Sequence, residues 1–456
     1  MSPQSNAHAT PMHLERQRQP PVSHIRFGTA LVLVAVGAAA FAVTFRTSLA
    51  LVYRDVFGAN NVVEAIRHLP WWGRLLIPAL GGAASGGIAR LRAVPPQGVS
   101  NVMEAVALGN VRLSMRTTAV RVLASWTSIA SGLSIGREGP LIEFGGALGA
   151  TMGRLFTTRL KHTRILVAAG TAAGFAAAYN TPFAAVLFVL ETIVGIAAIE
   201  ALLPIMAAVL LAVAITRAVV GGGPIYGARS FTLESPVDLL SFALLGALAA
   251  LAALAFKAVL AALERWIADH PIPQPARAIL GGVCVGGIAV FIPEVAGNGY
   301  EPLNVILDRQ LAVSIVVALL VAKVAATSAS VASGVPGGIF TAMLLVGGAV
   351  GALYAHAAVF LGAADAGVAG GFALVGMAAT TAASIHAPLT AAVLVFELSG
   401  DYPIVLPLLL ATVVATTLSR ALGSESVYEA ELRRKGLRWE VTLEGRRVSH
   451  NRKDTR

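Results

Sequence analysis

Apolar runs about twenty residues long recur roughly ten times along the chain, and several are interrupted by Gly, Pro or a charged residue. Such a run crosses the hydrocarbon of a bilayer only as a helix, because lipid offers no partner to backbone N–H and C=O groups. Composition agrees. Of 456 residues, 56% are hydrophobic and 13% charged, where an ordinary soluble domain carries about 25% charged residues. Mean hydropathy is +0.75. Ala, Gly, Val and Leu dominate the runs, and small residues let membrane helices approach closely. The chain therefore reads as an all-α polytopic membrane protein.

One interruption carries charge. Ser131-Gly132-Leu133-Ser134-Ile135-Gly136-Arg137-Glu138-Gly139-Pro140 joins two apolar segments. Its glycines and proline release the backbone from a continuous helix. Ionisable groups at membrane depth are costly and mark functional sites. Pro140 suits the first turn of a new helix, which puts Glu138 at a helix N-terminus, where free N–H groups and the dipole attract anions. Two readings follow. Glu138 is a tethered anion competing for an anion site, or it is a first-turn acid that caps its own helix and pairs with Arg137.

Charge elsewhere collects at the ends. Arg16, Arg18 and Arg26 lie near the N-terminus, and Arg433, Arg434, Lys435, Arg438, Arg446, Arg447, Arg452, Lys453 and Arg456 near the C-terminus. Basic tails flanking spans place both termini in the cytoplasm, and beside so apolar a body they do not argue for nucleic acid. No signal-peptide pattern precedes the first span. A single cysteine, Cys284, excludes an intramolecular disulfide and a cysteine metal cluster, and His8, His13 and His24 lack ligand spacing, so no metal or cofactor is expected. The expected organisation is a disordered tail at 1–24, a first membrane repeat at 25–224, a linker at 225–236, a second repeat with a terminal helix at 237–436, and a basic tail at 437–456. A loop opens a short helix at Val102–Leu108, and Arg159, Lys161, His162 and Arg164 mark a water-facing loop.

The two halves match. Placing Ser131 on Ser333, a shift of 202 residues, puts Gly145, Gly146, Ala147 and Gly149 on Gly347, Gly348, Ala349 and Gly351, and Glu138 on Phe340. Placing Pro182 on Pro388, a shift of 206, puts Gly170 on Gly376 and Glu191 on Glu397. Interrupted helices at matching positions of two repeats point to a transport site between them. The second break, Gly334 to Phe340, adds further N–H groups at a helix start, and two half-helix starts converging make an anion cradle. Span parity leaves parallel and inverted repeats both open.

These residues resemble the CLC family of chloride channels and proton-coupled chloride transporters. Gly136-Arg137-Glu138-Gly139-Pro140 is similar to its GREGP motif, and Gly337-Gly338-Ile339-Phe340 to its GGIF motif, with Ala342 where the family often has proline. Tyr428 stands where the family starts its last helix with tyrosine. The resemblance spans roughly residues 28–436 and implies a homodimer, each subunit a CLC-type fold of two inverted repeats with broken and re-entrant helices and its own path for chloride or a similar small anion. It implies that Glu138 is the gate, blocking when charged and moving aside when protonated. Ile339 and Phe340 would bind the central anion through backbone N–H groups, with the Tyr428 hydroxyl donating to it. Gly98, Gly136, Arg137 and Gly139 belong to the same anion-binding motifs.

Two positions depart from the family. Gln97 replaces a serine that contacts the anion; its amide N–H groups can also donate, and chloride, nitrate, bromide and fluoride stay open. Thr192 replaces a glutamate that carries protons to the inside in many exchangers. The protein is then a channel, or an exchanger whose protons reach Glu138 by water. The adjacent Glu191 would face about 100° away on a helix and reads as structural, as does Glu397. A different class of function also fits a motif: Gly132-Leu133-Ser134-Ile135-Gly136 matches GxSxG, with His386 as the base of an intramembrane serine hydrolase. That elbow needs strand–turn–helix context, and both flanks here read as helix. The favoured reading is a transporter and not an enzyme, residing in a bacterial plasma membrane.

Overall fold

In the computed structural model, residues 24–91, 98–108, 113–195, 199–227, 238–309, 311–362, 369–442 and 445–450 are described. The N-terminal tail, most of the 225–236 linker and Gln97 lie outside them. Helices follow one another almost without pause. The first half holds α1 His24–Phe57, α2 Val62–His68, α3 Trp71–Arg90, α4 Val99–Leu108, α5 Met115–Ala130, α6 Glu138–Leu155, α7 Leu160–Tyr179, α8 Pro182–Val189 and α9 Ile199–Val220. The second holds α10 Asp238–Asp269, α11 Gln274–Phe291, α12 Tyr300–Asp308, α13 Val313–Ala332, α14 Phe340–Phe360, α15 Ala369–Ile385, α16 Pro388–Ser399, α17 Val405–Ala421 and α18 Val427–Arg434. Among the described residues, six helices are long and apolar enough to cross a bilayer, and four apolar helices of 10–17 residues accompany them. Short helices ending inside the protein are what broken, re-entrant segments require.

The repeat is visible in backbone detail. Gly132 (φ 89°) and Gly334 (φ 79°), matched by the 202-residue shift, both adopt left-handed conformations that end the helix before the break. Asn180 and His386, matched by the 206-residue shift, both sit at φ 57° and close α7 and α15. Gly145 meets Gly170 where α6 crosses α7, and Gly347 meets Gly376 where α14 crosses α15. A Cβ on Gly145 would lie 2.0 Å from the Gly170 carbonyl oxygen, and one on Gly347 would lie 2.2 Å from that of Gly376. Only glycine permits such crossings. The halves meet through α3 and α11, where a Cβ on Gly82 or Gly282 would strike the backbone of the other helix. Buried cations also recur at matching positions. Arg121 of α5 pairs with Glu143 of α6, while Lys323 of α13, fully buried, donates to the carbonyls of Val295 (3.1 Å) and Gly297 (2.8 Å).

The two glutamates read as structural have a definite partner each. Glu191 Oε1 accepts from the Leu389 N–H (3.1 Å) and Oε2 from the Thr390 N–H (2.7 Å), so a first-half carboxylate caps α16. Reciprocally, Glu397 accepts from the N–H groups of Phe183 (3.0 Å) and Ala184 (2.8 Å) and caps α8. Each helix starts with proline, which leaves only the following N–H groups to satisfy.

Three local expectations change. The short helix begins at Val99, three residues early. Residues 160–164 form the first turns of α7 and not a loop. Within the expected basic tail, Leu437–Thr442 pairs antiparallel with Gly445–His450 as a hairpin, because alternating Arg438-Trp439-Glu440-Val441 suits a strand.

Removing the Glu191 carboxylate (Glu191→Ala) leaves two buried N–H groups without partners and is expected to destabilise the protein by about 3 kcal/mol, and Glu397→Ala, more exposed, by about 1–2 kcal/mol. Unfolding by SDS titration in detergent micelles checks both.

Candidate functional site

The two breaks meet. Gly136 N–H donates to the Gly338 carbonyl (2.7 Å) and Gly338 N–H to the Gly136 carbonyl (2.9 Å), a two-bond antiparallel bridge between residues matched by the repeat. Neither position tolerates a side chain: a Cβ on Gly136 would lie 2.0 Å, and one on Gly338 2.3 Å, from a carboxylate oxygen of Glu138. Gly139 is confined less severely, since a Cβ there would lie 3.2 Å from the Gly338 nitrogen. The glycines thus form a slot that fits one carboxylate.

Glu138 fills that slot and is 2% exposed. Oε1 accepts from the Phe340 N–H (2.9 Å) and the Thr341 N–H (3.3 Å), and Oε2 from the Thr341 hydroxyl (3.3 Å). These donors open α14, so the first repeat's acid sits on the second repeat's helix start. Its own backbone N–H also faces the carboxylate, while among the described residues Arg137 forms no ion pair with it. Of the two readings of this acid, the geometry therefore favours the tethered anion. Ile339, whose N–H the resemblance assigns to the central anion, stands at the N-cap of α14, and the Thr341 N–H joins that of Phe340 on Glu138. Thr341 and its partner Tyr179, whose hydroxyl lies 2.8 Å from the Thr341 hydroxyl, escaped the sequence reading. The available signal was Tyr179's place before the α7 turn.

Aromatic rings wall the slot. Phe340 meets Phe175 edge-on at 5.6 Å and Tyr179 at 5.7 Å. Tyr428 is buried at the start of α18, edge-on to Phe188 at 6.2 Å, and within electrostatic range of Glu138. Gly98 precedes α4 and faces α6, where a Cβ would lie 3.9 Å from a Glu143 oxygen. On the other side of the slot lies a cavity of about 560 Å³ lined by Arg46, Tyr53, Arg137, Asn298, Tyr300 and Glu301 among others. Arg137 is therefore a wall of this vestibule.

Comparison with known proteins agrees with this geometry. The voltage gated chloride channel family model matches residues 80–420. A ClcB-like chloride channel protein of Ralstonia nicotianae is 37% identical over 411 residues, covering 88% of this chain and 95% of that protein. The chain belongs to the CLC family. The voltage-gated ClC-type chloride channel ClcB of Escherichia coli O9:H4 (strain HS) is 31% identical over 413 residues, covering 88% of this chain and 98% of that one. Among solved structures, a slow cyanobacterial Cl−/H+ antiporter superposes with TM-score 0.81 at 24% identity, covering 91% of this chain and 98% of its own. A CLC-type fluoride/proton antiporter does so with TM-score 0.72 at 20% identity, covering 90% and 98%. The fold is thus the CLC fold of two inverted repeats in a multi-pass membrane protein.

Within that CLC frame Thr192 lies in a π-helical turn, Leu190–Val194, buried, its hydroxyl donating to the Phe188 carbonyl. The hydrolase alternative is not supported. Ser134 Oγ pairs with Thr327 Oγ1 at 2.9 Å, whereas His386 contacts Ser419 (3.2 Å) and Glu429 (3.7 Å), so nucleophile and base belong to separate clusters. Both flanks of Ser134 are helical, as the motif's context does not allow.

Thr341→Ala removes one donor to the Glu138 carboxylate while keeping both N–H groups. Weakening that hold by about 1.4 kcal/mol is expected to raise anion flux at neutral pH up to about tenfold, measured by chloride efflux from liposomes.

Proposed function

We propose that this protein carries chloride across a bacterial plasma membrane in exchange for protons, with Glu138 as the moving gate. A single observation carries the reading: an ionisable carboxylate occupies backbone donors at a buried helix start, in a slot of glycines sized for a small anion. Those donors recognise negative charge through the peptide dipoles and spend no side-chain charge on it.

The cycle follows from the chemistry of the slot. Ionised Glu138 holds the Phe340 and Thr341 N–H groups and excludes chloride. A proton on the carboxyl removes its charge and roughly halves the strength of those hydrogen bonds. The neutral side chain then swings toward the vestibule beside Arg137 and Arg46, and chloride takes the vacated donors. Loss of the proton to the other side recharges the acid, which displaces the anion. The Phe340 N–H and the Gly136 and Gly139 backbones border the slot itself; the Ile339 N–H, the Tyr428 hydroxyl and the Gly98 backbone serve the continuation of the path, with Gln97, outside the described residues, as its expected amide donor.

The relatives support this reading in their names, which describe chloride channels, a Cl−/H+ antiporter and a fluoride/proton antiporter. A homodimer with both termini in the cytoplasm, surrounded by lipid, is the expected assembly. One residue favours a second reading: Thr192 offers no acid for an inner proton route, as suits a channel.

Reconstituted protein with chloride and proton movement recorded together decides between them. Exchange requires that a chloride gradient drives protons uphill; chloride flux without proton movement leaves a channel. Glu138→Gln is expected to abolish proton movement and keep chloride flux. Unchanged proton transport in that variant refutes the gate.

A further inference from the structure

The exchange reading, on which this inference rests, needs protons to reach Glu138 from the side of the termini, and Thr192 supplies none. A buried charged cluster lies on that side. Arg121 of α5 and Glu143 of α6 form an ion pair with side chains 6% and 2% exposed. The Thr118 hydroxyl donates to Glu143 Oε1 at 3.4 Å. The Arg121 Nε–H is buried and, among the described residues, has no hydrogen-bond partner. A second acid, Glu431 of α18, lies in the field of Arg121 and faces the Ser100 hydroxyl of α4.

One guanidinium thus pairs directly with Glu143 and feels a second carboxyl, Glu431, at longer range. Both cannot ionise cheaply where water is scarce, so one of them holds a proton while the other pairs with Arg121. Burial pushes the Glu431 carboxyl above the usual carboxylate range, while Ser100, Lys435 and Arg434 pull it down and Glu264 of α10 pushes it up. Those outer charges are themselves engaged: Lys435 binds Glu104 (2.9 Å) and Asn101 (2.7 Å), and Arg434 pairs with Glu264.

Position completes the argument. Glu143 is five residues beyond Glu138 on the same helix, about 7.5 Å along its axis. Its second oxygen faces Gly98, at the expected anion path. Glu431 is three residues past Tyr428, on the same side of α18.

We propose that Glu431 and Glu143, sharing Arg121, are the inner proton relay of this protein. Glu431 takes up a proton from inner water and becomes neutral. It passes that proton to Glu143 as Arg121 transfers its ion pair from Glu143 to Glu431. Glu143 then releases the proton through water to the Glu138 carboxylate as Glu431 takes up the next one from inner water, so the guanidinium stays charged throughout and one acid of the pair always holds a proton. The matching cation of the second repeat, Lys323, donates to two carbonyls and forms no ion pair among the described residues, with Glu301 and Glu138 only in its field, whereas Arg121 is directly ion-paired with Glu143.

The test uses the full chain in liposomes, with chloride and proton fluxes recorded together. Glu431→Gln and Glu143→Gln are expected to lower the proton-to-chloride ratio at least about tenfold with chloride flux retained. Glu431→Asp should restore the ratio, and Glu104→Gln should leave it unchanged. An unaltered ratio in both Gln variants overturns the relay alone. Chloride flux without protons in the unmodified protein overturns the exchange reading and the relay together. If the Gln variants lose chloride flux as well, infrared difference spectra decide. A protonated-carboxyl band that titrates in the unmodified protein and shifts in Glu431→Asp supports the relay, and its absence across the pH range of proton transport overturns it.

Discussion

A carboxylate from one repeat bound to the helix start of the other is the interaction on which this molecule depends. It occurs three times. Glu191 caps α16, Glu397 caps α8 and Glu138 caps α14. In each case the acid supplies partners, across the interface, to first-turn N–H groups that the helix itself leaves unbonded. Each pairing therefore does two things. It lets a membrane helix stop short of the membrane's edge, and it ties the halves together in one register.

The three differ in how firmly the acid is held, and that difference separates scaffold from site. Backbone N–H groups approach Glu191 and Glu397 at 2.7–3.1 Å, but approach Glu138 at 2.9 and 3.3 Å. Gly136 and Gly338 lie against the Glu138 side chain, so at those two positions backbone and not a side chain borders it. The repeat also leaves this pair unreciprocated. Glu191 and Glu397 match each other, whereas the match of Glu138 is Phe340. Two helix starts face the slot and only one tethered acid comes with them, which leaves donor capacity for a free anion.

Much of this was legible in the sequence. The breaks at 131–140 and 333–340, the helix starts at Glu138 and Phe340, and the doubled Gly and Glu positions follow from Gly, Pro and charge in apolar surroundings. Such features are written locally, because a glycine at φ 89° or a proline at a first turn constrains its own backbone. What was not legible depends on contacts between distant segments. Thr341 and Tyr179 join the site through a hydroxyl pair 162 residues apart, and beyond Tyr179's place before the α7 turn nothing local marks them. Arg121, Glu143 and Glu431 come from three helices. Each alone looks like an ordinary charge near a helix end, and only their convergence makes them a buried group. The π-helical turn at 190–194 was missed for a similar reason, since it arises where Glu191 must reach α16.

Convergence also explains why the missing acid at 192 need not leave the protein without a proton path. A proton station requires a carboxyl shielded from water and a counter-charge that keeps its ionised form accessible. Position along the chain is not part of that requirement. Threonine at 192 satisfies its own hydrogen bond on Phe188 and closes that route, while the α5, α6 and α18 cluster supplies shielding, counter-charge and nearness to Tyr428. Since α6 carries both Glu138 and Glu143, one rigid helix fixes the separation between gate and relay, and rearrangement at the repeat interface leaves that separation intact. An acid at 192 would have stood on a different segment, the π-helical turn that follows α8. Placing the relay on the gate's own helix therefore couples the two carboxyls more directly than the arrangement it replaces.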